Sequence, residues 1–212
     1  MAAQWEQVVA EHPKLAACAF SVNTAFDLLF ECVHSGGKVL TCGNGGSAAD
    51  SEHIVGELMK GFTLARPVNA ELREKFRSIY GSEGDWMADH LQQAIPAISL
   101  VSQTALITAF LNDVDPAMLF AQQVLGYGQA GDCLIALSTS GNSANVVNAV
   151  RTASVLGVKT IGMTGEGGGK LKQACDVCIC APAQNTARVQ EYHQVIYHYL
   201  CEQLEAAVFG GD

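Results

Sequence analysis

Five short apolar runs, each set between stretches of helical character, constrain this chain more than any other feature. They are KVLTC (38–42), AISLV (97–101), CLIALS (133–138), KTIGMT (159–164) and DVCICA (176–181). Such alternation builds a parallel sheet covered by helices on both faces, so the reading is an α/β, doubly wound domain. The 212 residues suit a single domain, residues 1–212, large enough to remove roughly 70% of its unfolded surface from water.

The helical stretches carry their own punctuation. Residues 14–34 hold apolar positions at helical spacing and stop at Ser-Gly-Gly, which predicts a helix leading into the sheet. Between Leu58 and Pro96 the pattern loosens into two short surface helices. One is capped by Asn69 and stopped by Gly81, and the other is capped by Asp85 and ended by Pro96. Trp86 and Met87 are expected to cover the core. Residues 185–209 form one long amphipathic helix. There is no internal repeat, low-complexity tract or domain linker.

Composition narrows the function classes. The net charge is −9 with 12 Lys plus Arg and no basic cluster, which argues against a nucleic-acid partner. No run of about 18 residues escapes polar interruption, so no membrane span is expected. The start, MAAQWEQVVAEHPK, lacks the apolar core of a secretory peptide, and a cytoplasmic location is expected. The eight Cys lack the spacing of a disulfide scaffold and read mostly as buried thiols. Cys175, Cys178 and Cys180 read as small apolar strand residues rather than a soft metal or redox site.

In an open parallel sheet, ligands settle beyond the carboxyl ends of the strands. Two post-strand loops stand out. GNGGSAAD follows the first run, its glycines permitting positive φ and close approach, and opens a helix near Ser47. STSGNS (138–143) follows the third with four hydroxyls in six residues and opens another. Hydroxyls, amides and a helix N-terminus can hold a phosphate without a lysine, and neither loop contains one. That absence argues against a Walker-type site, and GNGGSA lacks dinucleotide spacing.

His53 and Glu57, at i and i+4, share a helix face beside the first loop, suited to a metal pair or to a carboxylate base with a neighbouring imidazole. On the last helix, Glu191 and His198 share a stripe, whereas Gln190 is turned by about 80° from His198 and lies roughly 12 Å from it along the axis. Spacing alone does not bring Gln190 to His198. His193, off the stripe, is expected to orient a neighbour or face solvent.

CGNGGSAAD, His53-x-x-x-Glu57, STSGNS, TGEGGGKL (164–171) and RVQEYHxxxxH, in this order, resemble the sugar isomerase (SIS) domain of the phosphoheptose isomerase family over nearly the whole chain. The resemblance implies a three-layer α/β/α sandwich with a five-stranded parallel sheet, a long N-terminal helix, and usually a homotetramer. It also implies a cytoplasmic enzyme interconverting sedoheptulose 7-phosphate and D-glycero-D-manno-heptose 7-phosphate, the first step of bacterial heptose precursor synthesis. By the same resemblance Asn44, Gly45, Gly46 and Ser47 contact substrate, Ser138, Thr139, Ser140 and Ser143 surround its phosphate, and Asn112 and Asp113 contact the sugar. Glu57 resembles the base that moves a proton between C1 and C2 through an enediol, and His198 the acid opposite it. Some members hold zinc near His53, Glu57, Gln190 and His198, with Gln190 also at the substrate. The expected pocket has Glu57 and His198 on its flanks and the serine turn at its far end.

Two departures stand against the family pattern. The stretch from Glu57 to Asn112 is roughly two dozen residues longer than in typical members, adding a helical insertion at about 66–95. Ala187 stands where many members place an acid. The alternatives are a non-catalytic SIS-domain partner of the replication initiator, or an isomerase or sensor for another sugar phosphate. Glu57 and His198 together favour the enzyme.

Overall fold

The structure, a computed structural model, describes residues 2–211. Strands β1 (Val39–Cys42), β2 (Ala97–Ser99), β3 (Cys133–Leu137), β4 (Lys159–Gly165) and β5 (Val177–Ala181) form one parallel sheet in the order β2-β1-β3-β4-β5. Every strand falls on one of the five apolar runs. Side chains alternate between faces along each strand, so the runs feed two cores. Val39, Cys133, Ile135 and Leu137 enter one, and Leu40, Cys42, Leu134 and Ala136 the other.

The chain begins with α1 (Ala2–Glu11), a 3-10 turn (Pro13–Cys18), α2 (Ala19–His34) and, after β1, α3 (Gly46–Met59). Next come α4 (Ala70–Tyr80) and α5 (Ser82–His90). After β2 follow α6 (Thr104–Asp113), α7 (Leu119–Tyr127), α8 (Ala144–Val155), α9 (Gly169–Ala174) and α10 (Thr186–Phe209). The first face buries Val22, Phe26 and Leu29 of α2, Ile54 and Leu58 of α3, and Ile196, Leu200 and Leu204 of α10. The second is covered by Phe120 and Val124 of α7, Val146 and Val150 of α8, and Leu171 of α9. Each such side chain contributes about 1.5–3 kcal/mol on leaving water. The result is the expected three-layer sandwich.

The expectations for helices need three corrections. The 14–34 helix opens as a 3-10 turn, because Pro13 starts it and α-helical geometry sets in only at Ala19. By length and composition the stretch Pro13–His34 could cross a bilayer, as the core helix of a globular domain also could. Here Leu15, Cys18, Val22, Ala25, Phe26, Leu29 and Cys32 face the core.

Between α3 and β2, Asn69 caps α4 as expected, its side chain accepting from Leu72 N–H at 2.8 Å. Helix α5 is displaced from its expected span. It starts at Ser82 because Gly81, at φ 59°, both stops α4 and opens α5, and it ends at His90, well before Pro96. Asp85 lies inside it and bonds Arg77 at 2.9 Å. Trp86 does not cover the core. It is 60% exposed and its ring rests on His90, with centroids 4.5 Å apart, while Met87 is half-buried. The two helices pack chiefly on each other. Pro67 pairs with Gln92, and Gln93 N–H donates to Arg66 C=O at 2.7 Å, so the segment carrying α4 and α5 leaves the body and returns to it at one point.

Candidate active site

The strand order places β1 next to β3, the point where the winding of the chain reverses and where open α/β sheets bind ligands. The loops that follow these two strands are the glycine loop and the serine turn. Asn44 and Asn145 join them through two reciprocal amide hydrogen bonds of 2.9 Å. Gly45 has φ 58°, a conformation costly for residues with a Cβ, and lies immediately before α3. Gly141 has φ 65° and packs directly on the Gly168 carbonyl, and its own carbonyl accepts from Leu171 N–H at 2.9 Å. The TGEGGGKL segment thus supports the serine turn from below. Ser138 is buried, and its hydroxyl lies 3.0 Å from that of Ser143. Ser143 is the N-cap residue of α8 yet makes no side-chain cap there, which leaves first-turn N–H groups facing the turn. Thr139 is half-buried, Ser140 exposed, and Ser47 buried at the start of α3.

Helix α3 is pegged to the sheet by Ser51, whose buried hydroxyl donates to Thr41 Oγ1 at 2.8 Å and lies 2.9 Å from Ser99 Oγ. Its outer half meets α10. There His53 Nε2 lies 3.0 Å from Glu57 Oε1 and 3.5 Å from His198 Nε2. One ligand atom from each residue lies within 4.8 Å of the others. Two imidazoles and a carboxylate converging this closely form a donor set suited to a divalent cation. The trio opens outward, with the His53 side chain 41% exposed and that of Glu57 12%. Burial, then the neighbouring His53, pushes the His198 pKa down, against the opposing pull of Glu57. Glu57 Oε2 meets Lys60 Nζ at 3.1 Å.

A fully buried ion pair holds this end of α3. Glu205 Oε1 accepts from Arg66 Nε at 2.7 Å, and its carboxylate also takes the backbone N–H groups of Phe62, Thr63 and Leu64 and the Thr63 hydroxyl. Arg66 in turn donates to the carbonyls of Leu58 and Glu57, capping α3 beside the trio. Burial alone would raise the Glu205 pKa, but these donors outweigh it and hold it at about 2. The same loop sets the Phe62 ring against His198, with centroids 5.5 Å apart.

The remaining candidates lie elsewhere. Gln190 sits against Gly46 at the start of α3. Asn112 and Asp113 end α6 exposed, bonded to each other at 2.8 Å. Glu191 is exposed and paired with Arg188, away from His198. His193 is fully buried rather than facing solvent, with its Nε2 3.1 Å from the Thr164 carbonyl, and burial lowers its pKa to about 4. Glu57 lies eleven residues beyond Gly46 on α3, roughly 16 Å of helix. All eight cysteines are free, and burial pushes Cys178 up to about 12.

Three contributors escaped the sequence reading: Asn145, Tyr197 and Asp50. Tyr197 Oη lies 2.9 Å from His53 Nδ1 and 3.4 Å from Asp50 Oδ1. Asp50 was detectable at i−3 from His53, and Asn145 two residues past the serine turn. Tyr197, in an apolar run, gave no signal.

Known proteins share this fold. SIS domain family models match residues 7–81 and 97–206. A phosphoheptose isomerase of Rhodospirillum rubrum is 37% identical over 92% of this chain and 90% of its own length. The solved phosphoheptose isomerase of Neisseria gonorrhoeae superposes with a TM-score of 0.73 at 32% identity, over 96% of each chain. That of Francisella tularensis reaches 0.75 at 30% identity, over 95% of this chain and 94% of its own. The chain belongs to the phosphoheptose isomerase family, built on the SIS domain.

Proposed function

We propose that this phosphosugar isomerase interconverts sedoheptulose 7-phosphate and D-glycero-D-manno-heptose 7-phosphate in the bacterial cytoplasm, supplying heptose precursors. The observation that carries this reading is the convergence of His53, Glu57 and His198 within one cluster, in a fold whose switch point bears two phosphate-type loops. In the ketose-to-aldose direction, Glu57 takes the proton from C1 to give an enediol and returns it to C2, while His198 relays the proton from O1 to O2. A neutral imidazole can both donate and accept, which the lowered His198 pKa favours. Ser138, Thr139, Ser140 and Ser143, with the first turn of α8, bind the phosphate, and Asn44 to Ser47 line the sugar, with Asn112, Asp113 and Gln190 as further contacts. Zinc is the metal we assign to His53, Glu57 and His198; bound through His198 it would polarise a substrate oxygen in place of that residue's proton relay.

A second copy of the chain in a homotetramer would close the outward-facing trio, excluding water from the reacting carbons. A non-catalytic partner of a replication initiator has no use for such a cluster. The test is turnover of a panel of ketose phosphates of different length, with and without added zinc. Selective turnover of the heptulose 7-phosphate is expected. Turnover of a shorter ketose phosphate alone would replace the substrate assignment, and none on any member would remove the enzyme reading.

A further inference from the structure

Within the trio, His53 is also held from behind. Its Nδ1 faces the Tyr197 hydroxyl at 2.9 Å, and the same hydroxyl reaches Asp50 Oδ1 at 3.4 Å. Tyr197 is 1% exposed, and Asp50 Oδ2 is buried with no partner among the described residues. A tyrosine hydroxyl carries one proton and can donate to only one of these neighbours. Donated to His53 Nδ1, it leaves the ring proton on Nε2, directed at Glu57 Oε1 3.0 Å away. Donated to Asp50, it leaves Oη to accept from an Nδ1–H, and Nε2 presents a lone pair to Glu57 and His198.

We propose that Asp50 and Tyr197 are positioning residues that hold His53 in its Nδ1–H form, with Nε2 free to ligate a divalent cation shared with Glu57 and His198. The inference rests on the zinc assignment above. Changing between the two arrangements moves the ring proton from Nε2 to Nδ1 and turns the hydroxyl from His53 to Asp50. Protons balance, and none is released. A ligating imidazole is ordinarily fixed through its other nitrogen by a carboxylate or carbonyl. Here a buried phenol stands between the imidazole and the carboxylate. The Tyr197 ring also packs edge-on against both imidazoles, at 5.5 Å from His53 and 4.8 Å from His198, so Tyr197→Phe keeps the packing and removes only the hydroxyl.

The test is Zn²⁺ affinity of the full chain, measured by competition with a chromophoric chelator, for the unmodified protein and for Tyr197→Phe, Asp50→Asn, His53→Ala and His198→Ala. Tyr197→Phe and Asp50→Asn are expected to bind Zn²⁺ about 10–100-fold more weakly with unchanged thermal unfolding. Nitrogen NMR of the Zn²⁺-loaded protein is expected to show His53 protonated at Nδ1. Unchanged affinity in Tyr197→Phe, or Zn²⁺ on His53 Nδ1, overturns the relay and leaves the zinc assignment standing. No binding by the unmodified protein, or equal binding after His53→Ala and His198→Ala, overturns the zinc assignment and the relay with it.

Discussion

Asn44 and Asn145 exchange two side-chain hydrogen bonds of 2.9 Å, amide to amide, across the gap between the loop after β1 and the first turn of α8. The pair spans 101 residues of sequence and sets the separation of the two loops assigned to one sugar phosphate. Asn145 Oδ1 also accepts from Val146 N–H at 3.0 Å, fixing its own orientation.

Asn145→Ala is therefore expected to raise KM for the sugar phosphate about tenfold, equivalent to one or two hydrogen bonds, with little change in the unfolding midpoint. Asn44→Ala should do the same, and the double variant should be no worse than either single one, because both remove one unit. Steady-state kinetics on the three proteins check this. Additive losses would show that each amide acts alone.

The Arg66–Glu205 pair is buried on both sides, so removing one partner leaves an uncompensated charge. Arg66→Met is expected to cost roughly 3–5 kcal/mol of stability in urea unfolding. Acid should act in two windows. His193 has a folded pKa of about 4 against an ordinary 6.5, so the unfolded chain takes up the proton first and stability falls as pH drops from 6.5 toward 4. Glu205, at about 2 against 4.5, contributes fully above pH 4.5, and that contribution is lost as pH falls from 4.5 toward 2. A thermal midpoint followed against pH should show both, and His193→Gln, which keeps a donor for Thr164, should remove the upper one alone.

What could be read in advance follows from the range of the interactions. The strands were legible because a strand covered on both faces must be apolar throughout, as CLIAL is. His53 and Glu57 could be paired because a helix enforces the i,i+4 neighbour. His198 could be joined to them only through the family resemblance, since its contact depends on how α10 lies against α3. Arg66 and Glu205, 139 residues apart, carry no local pattern that pairs them. Trp86 was misplaced because burial of an aromatic presumes something to pack against, and the α4–α5 pair extends away from the sheet.

That geometry makes the α4–α5 pair removable. Because Pro67 and Gln92 already face each other, replacing residues 69–91 with an Asn-Gly turn should preserve the fold and shift the unfolding midpoint by no more than about 5 °C. Circular dichroism and calorimetry check this. Loss of cooperative unfolding would show that the helical pair is part of the folding unit.

The serine turn and Glu57 stand at the two ends of α3, and the trio faces outward. If a neighbouring copy brings its serine turn to this trio, the two halves of each active site come from different chains. Glu57→Gln, which cannot carry the proton, should lower kcat by a factor on the order of 10²–10⁴ while binding substrate. Ser140→Glu, which sets a negative charge against the phosphate, should abolish binding. Each protein alone would then be nearly inactive. Refolded together at equal concentration, they should recover about a quarter of unmodified activity, since random assembly pairs an intact turn with an intact Glu57 at that frequency. Sites built within one chain predict no recovery at any mixing ratio, and the activity of the mixture decides between the two.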